Sequence, residues 1–294
     1  MPDQQLTAET NLDINNPFYL TAVSWQNQKP LLRFQAQHDN STTFVEAENL
    51  FLRFRVINNQ PRRCIGATKR TEEGSSHQVC DLEPTSGRYC EKCQTVENVN
   101  AANMHQSHRK VRAEISKTMA AYLAYPHRLY LAAFRDGSLK VGTTRGSKGN
   151  KRLIEQGAWL AIYVAEVEDG FFVRELEDEI TARLGVTQAV DTRRKILGHL
   201  HHLSDQQLIQ SLSELSSETE NLLRDHLGDR GSLIGEPWSN PMVDAEVWGD
   251  LAQYPGSMKE GAHELTIHSM VGRLAACHKT GFSDAFLVDM QSLL

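Results

Sequence analysis

Four of the chain's five cysteines fall within thirty residues, in a segment with little else to hold it in one conformation. Fifteen residues separate Cys64 from Cys80, nine separate Cys80 from Cys90, and two separate Cys90 from Cys93. Between them, Thr71–His77 and Pro84–Gly87 are loop-like and carry little apolar mass. So polar a segment cannot offset its ordering entropy by burial. A bound metal can, because its binding energy becomes folding energy. Two thiolates spaced as Cys90 and Cys93 grip one ion from a tight turn, and Cys64 with Cys80 would complete tetrahedral zinc. His77, His105 and His108 are alternative ligands, and four independent thiols are the bland alternative. An all-protein ligand set has no open position, so this zinc is expected to be structural. The odd cysteine total and the polar Met1–Pro17 stretch, with no apolar signal segment, argue against a disulfide scaffold. Cys277 lies among apolar residues and reads as a core thiol.

The 294 residues can bury a real core. No apolar run approaches the ~18 residues of a membrane span, so no membrane association and cytoplasmic residence are expected. The net charge of -6 does not favour a chain coated in nucleic acid, although a local basic patch can outweigh it.

The chain divides by pattern. Residues 1–17 read as a flexible tail and 18–63 as an N-terminal β domain. In the latter, Leu50, Leu52, Phe54 and Val56 share one strand face and Arg53 and Arg55 the other. Asn58 to Pro61 signals a turn. Residues 64–97 form the zinc-binding segment. Residues 98–127 read as a connecting helix with Val111, Ile115, Met119 and Leu123 as its apolar stripe and His108, Arg109, Lys110, Arg112 and Lys117 on its basic side. Residues 128–190 form a compact unit, described below. Residues 191–262 read as helical and then loop-rich. There, Ser204 and Gln207 form a capping box before a leucine-rich pattern, and Trp238 and Trp248 are local anchors. Residues 263–294 read as a C-terminal β segment, either separate or returning to the N-terminal sheet. The fold class is therefore α+β.

The unit at 128–190 carries the functional candidates. Arg128 to Phe134 and Leu139 to Arg145 read as strands joined by a polar turn, Trp159 to Val167 as a third strand, and Phe171 to Leu184 as an acidic helix. Tyr130 lies mid-strand, where a tyrosine either packs or serves as a general base or hydrogen-bond donor to phosphate. From Arg135 to Arg152 six basic residues face one acidic residue, Asp136. Such a strip, including Lys140, Arg145, Lys148 and Lys151, suits a phosphodiester backbone or a solvated surface equally. Arg152 opens a short helix and is the best-placed arginine for clamping a phosphate. Phe172, Leu176, Ile180 and Leu184 form a helical stripe, with Glu175 and Glu179 on one flank. A carboxylate there can hold a divalent cation, or simply face solvent.

This arrangement resembles the GIY-YIG nuclease superfamily. Arg128-Leu129-Tyr130 falls where that family has its first tripeptide and Lys140-Val141-Gly142 where it has the second. Arg152 matches its catalytic arginine, and Glu175 its metal-binding glutamate, with Glu177 and Glu179 as register alternatives. Most of the chain is also similar to a bacterial family that joins a Cys-rich zinc segment to a GIY-YIG-like unit. That similarity is carried by Arg63-Cys64-Ile65-Gly66, Tyr89 to Cys93, Lys140 to Arg145 and Arg152 to Ala158. The resemblance implies a small three-stranded sheet with helices, flanked by the N-terminal β segment with its zinc cluster and by the C-terminal helical and β regions. It also implies metal-dependent phosphodiester hydrolysis or nucleic-acid processing, with Tyr130, Arg152 and Glu175 catalytic and magnesium or manganese as cofactor. Arg128 replaces the first glycine and Lys140 the second tyrosine. A catalytically inactive nucleic-acid-binding module and a zinc-stabilised protein-interaction protein are therefore the alternatives.

Overall fold

The computed structural model describes residues 17–58, 62–71, 74–109, 115–146 and 149–293. The tail at 1–16, the end of the turn at 59–61, Val111 with its neighbours at 110–114, and Lys148 lie outside the described residues. In chain order the strands are β1 (Phe18–Gln26), β2 (Lys29–Ala36), β3 (Thr42–Glu46), β4 (Leu50–Arg55), β5 (Ala67–Thr71), β6 (Gly74–Gln78), β7 (His127–Ala133), β8 (Leu139–Arg145), β9 (Leu160–Val167), β10 (Gly231–Ser239), β11 (Ala252–Gln253), β12 (Ala262–Val271), β13 (Leu274–Lys279) and β14 (Ala285–Asp289). The helices are α1 (Glu91–Gln106), α2 (Lys117–Leu123), α3 (Lys151–Gln156), α4 (Gly170–Leu184), α5 (Thr192–Leu200), α6 (Asp205–Leu227) and α7 (Ala245–Trp248). The protein is of mixed α+β class, and among the described residues no helix is long and apolar enough to cross a membrane.

The central sheet is antiparallel, in the order β10-β9-β7-β8. Strand alternation divides β7 between two cores. Leu129, Leu131 and Ala133 face one core with Val173, Leu176 and Ile180 of α4 and Leu212, Leu215 and Leu223 of α6. Tyr130, Ala132 and the following Phe134 face the other with Leu153 of α3, Ala161 and Tyr163. Three strands were expected and four are present, because residues 231–239 pair with β9. A Gly- and Pro-containing stretch reads as loop, but at a sheet edge Pro237 forfeits no necessary hydrogen bond.

The two terminal β regions also merge. β1, β2 and β3 form one sheet, while β4 leaves its neighbours and joins β12 in the five-stranded sheet β11-β14-β13-β12-β4. Leu20, Trp25 and Leu32 pack with Leu265, Ile267 and Phe286 in one core. The Trp25 indole Nε1 donates to the Gly272 carbonyl across it at 2.9 Å. Ile154 enters this core as well, so α3 sends adjacent residues, Leu153 and Ile154, into different cores.

The connecting helix is broken up. α1 begins earlier, at Glu91, and α2 is a separate short helix capped by Ser116, whose hydroxyl accepts from the Met119 N–H at 3.3 Å. Two residues of the expected basic side, His108 and Arg109, bond within the chain. His108, Arg109 and Gln188 all donate to Asp178 of α4. Burial pushes that carboxyl up, but these donors outweigh it and hold it down to about 2. α6 is one continuous helix, and its Ser204–Gln207 capping box is formed in both directions.

Candidate functional site

The four clustered cysteines converge. Their Sγ atoms all lie within 4.8 Å of one another, and Cys80 and Cys90 are 3.8 Å apart. Three are buried and Cys80 is partly exposed. The backbone organises them: N–H groups of Gly66 and Cys90 donate to Cys64 Sγ at 3.4 and 3.2 Å, and the Cys93 N–H to Cys90 Sγ at 3.5 Å. The last of these donors holds the Cys90 thiol down to about 7, while burial pushes Cys93 up. Donors aimed at sulfur favour the thiolate, the form that binds metal. The cluster can hold a metal ion. His77 and His108 stand apart from it. His108 is bonded to Asp178, and the His105 side chain lies outside the described residues.

The central unit gathers its polar groups around Gln156, at the C-terminal end of α3. Tyr130 is 1 % exposed, and its hydroxyl donates to Gln156 Oε1 at 3.1 Å. Lys140 Nζ donates to the same oxygen at 2.9 Å, and Lys195 Nζ of α5 donates to the Gln156 backbone carbonyl at 2.7 Å. Gly142, the cross-strand partner of Tyr130, makes room for the ring, since a Cβ there would sit 2.5 Å from the phenol. Gly157 then reverses the chain with φ 68°, against the backbone of Val271 and Gly272. Burial, followed by the positive charge of Arg152, pulls Lys140 down to about 7. Burial likewise pulls Lys195 down to about 8, with Arg273 and Arg152 adding to it. Burial raises Tyr130 to about 12, so its hydroxyl is a donor at neutral pH.

The three glutamates of α4 differ in their surroundings. Glu175 is exposed, whereas Glu177 is buried and electrostatically coupled to both Lys140 and Tyr130. Both sit on α4, and their different angular positions decide between them: 100° per residue turns Glu175 outward when Leu176 and Ile180 face the core. Glu177 is already paired, with Arg174 NH1 at 2.8 Å from Oε2, and burial still raises its pKa. Glu179 pairs with Arg183 at 2.9 Å.

The basic strip does not act as one surface. Arg135 is buried, 4.0 Å over the Trp159 ring, and bonds Asp205 at 3.3 Å. Arg145 lies on the opposite strand face from Lys140 and stacks 3.5 Å from the Tyr125 ring centre. Lys151 is exposed, 3.7 Å from Glu155. Arg152 is exposed and has no hydrogen-bond partner among the described residues. Arg128 pairs with Glu166 at 2.7 Å and Glu236 at 3.0 Å. Gln156 and Lys195 were not singled out from the sequence. The signal for Gln156 was its position four residues after Arg152, which puts both on one helix face.

These features define a mixed α+β protein with a four-cysteine group that can hold a metal ion and a separate polar cluster on a four-stranded sheet. The chain belongs to the DUF2797 family, described as a protein of unknown function, whose profile matches residues 54–239. No curated protein and no solved structure matches it.

Proposed function

We propose that the protein binds a nucleic-acid backbone at Lys140, Arg152 and Lys195, within a zinc-stabilised, GIY-YIG-like architecture. One observation carries this reading: Lys140 and Lys195 are both bonded to Gln156, and Arg152 lies four residues before it on α3, while the nearest buried carboxylate, Glu177, is occupied by Arg174. The cluster therefore presents positive charge to a phosphate. The order β8-β7-β9, with α3 between β8 and β9 and α4 after β9, supports the architectural resemblance. Zinc suits the cysteines because tetrahedral Zn–S bonds of about 2.3 Å separate sulfurs by about 3.8 Å, the Cys80–Cys90 spacing. Such an ion would be held by Cys64, Cys80, Cys90 and Cys93 and would supply structure rather than reactivity.

Metal-dependent hydrolysis is the second reading, and the burial of Glu177 beside Lys140 and Tyr130 favours it. In that case Glu177, released from Arg174, would hold magnesium or manganese, Tyr130 would orient the attacking water as a donor, and Arg152 would stabilise developing charge.

Fluorescence anisotropy with 5′-hydroxyl single-stranded and duplex oligonucleotides tests the binding. The double variant Lys140→Met/Arg152→Ala should weaken single-strand affinity at least ten-fold and flatten the salt slope by about 1.4. Unchanged affinity would overturn the proposal. A cleavage assay with and without magnesium or manganese tests the second reading: Glu177→Gln should abolish any metal-dependent cleavage and Glu175→Ala should not. Cleavage that survives Glu177→Gln would remove the second reading and leave binding intact.

A further inference from the structure

A cavity of about 310 Å³ opens away from this cluster, between the β1–β2 hairpin, the cysteine segment and the turn after β12. Its charged lining is three arginines, Arg33, Arg88 and Arg273, against one carboxylate, Glu97, and its neutral polar lining includes His77 and Tyr89. We infer that this cavity is a second anion site, which takes a terminal phosphate together with an adjoining ring system, the chemistry of a nucleotide.

Of the three arginines, Arg33 is held in place without being neutralised. Arg33 Nε donates to Thr21 Oγ1 at 2.9 Å and its NH2 to the Thr21 carbonyl at 3.2 Å, so the guanidinium is fixed by neutral acceptors. Among the described residues no carboxylate pairs with it. Arg88 has no side-chain hydrogen bond among the described residues. Only Arg273 has an acidic partner, Asp289, at 3.2 Å. Glu97 accepts the Thr68 backbone N–H. A partly buried guanidinium with no counter-ion is costly, and a bound oxyanion would relieve the cost through charge-assisted bonds. Burial accordingly pulls Arg33 down to about 10. His77 Nε2 is buried without a partner, and burial holds that imidazole down to about 4, so at neutral pH it is uncharged. It can then donate one hydrogen bond without adding charge.

The size and the remaining walls extend the ligand beyond a bare oxyanion. Ile65, Ala67 and the Tyr89 ring line the same cavity as the arginines, which suits a flat group carried next to a phosphate. The phosphate can come from a free nucleotide or from the phosphorylated end of a strand, since both present the same terminal oxyanion next to a ring system.

The site stands independently of the central cluster, and calorimetry on the full, metal-loaded chain can separate the two. Adenosine monophosphate should bind, adenosine should not, and inorganic phosphate should bind at least ten-fold more weakly than the nucleotide. Arg88→Gln should weaken nucleotide binding at least ten-fold with the melting temperature unchanged, since that side chain makes no hydrogen bond among the described residues. Arg33→Gln should weaken nucleotide binding to a similar extent while also lowering the melting temperature through its lost Thr21 bonds, and Lys140→Met/Arg152→Ala should have no effect on the free nucleotide. A 5′-phosphorylated oligonucleotide binding more tightly than its 5′-hydroxyl counterpart, with the difference erased by Arg88→Gln, would identify a strand end as a source. Equal affinity would leave the free nucleotide as the source. Absence of nucleotide binding at millimolar concentration, binding that survives both arginine substitutions, or equal affinity for inorganic phosphate and nucleotide would each overturn the inference.

Discussion

At the scale of single residues, Lys140 is the most informative position. A lysine amine buried beside Arg152 and Lys195 is destabilised as a cation, and the result is a titration near neutrality, at about 7. Glu177 opposes the shift, and Arg174 adds to it. In the unfolded chain the same group keeps its proton to about 10. Between pH 7 and 10 the unfolded state therefore binds more protons, and folding stability rises with pH. Phosphate binding should run the other way, weakening as pH rises through 7 and the ammonium is lost. Denaturant midpoints and oligonucleotide affinities measured from pH 6 to 9 check both signs. Lys140→Arg, which stays charged, should flatten both dependences, and an unaltered pH profile would show that Lys140 is not the group responsible. Sequence pattern could place Lys140 and Tyr130 on neighbouring strands, but it left three glutamates as candidates. Only the burial of α4 shows which of them is enclosed, Glu177, because angular position on a helix has meaning only once one face is anchored.

At the scale of elements, local chemistry was the most legible. The capping box at Ser204 and Gln207 and the leucine spacing after it do mark one long helix. The Leu50–Arg55 alternation does mark a strand with its arginines turned outward. Residues 98–127 hold the end of α1 and the separately capped α2, because Ser116 starts a new helix inside the apolar spacing that ends at Leu123, and His108 and Arg109 of the expected basic side are bonded to Asp178. The cysteine segment belongs at this scale too, since neither its short hairpin β5–β6 nor its turn at Ser86–Tyr89 is long enough to be stable alone. Metal removal by a strong chelator, or Cys90→Ser, should therefore abolish protection of amide hydrogens across residues 64–93 while those of α6 stay protected. Metal analysis of the intact chain should give about one zinc per chain, and hydrogen exchange unchanged by chelation would show that the segment orders without an ion.

At the scale of the whole molecule, α3 is the point where the parts meet. Leu153 packs under the central sheet and Ile154 in the core shared by the terminal β regions, while Arg152 and Gln156 on the same short helix carry the polar cluster. Ile154→Ala should cost about 2–5 kcal/mol and weaken oligonucleotide binding as well, although Ile154 faces away from any ligand. Chemical denaturation paired with anisotropy measures both, and a stability loss with full affinity retained would show that the two regions are not coupled through α3. The sequence by itself determined the features that rest on neighbours along the chain: the four-cysteine cluster, the alternation of the strands around Tyr130, the long capped helix and the α+β class. The tertiary structure alone decided which of those features meet. It made residues 231–239 the fourth strand of the central sheet, carried β4 away from the N-terminal hairpin to β12, buried Glu177 and left Glu175 exposed, and set Arg33, Arg88 and Arg273 around one cavity. The reason is physical. Propensity, capping and periodicity act over a few residues, whereas strand partners and cavity walls here are brought together from as far apart as Arg33 and Arg273, by burial that no local pattern records.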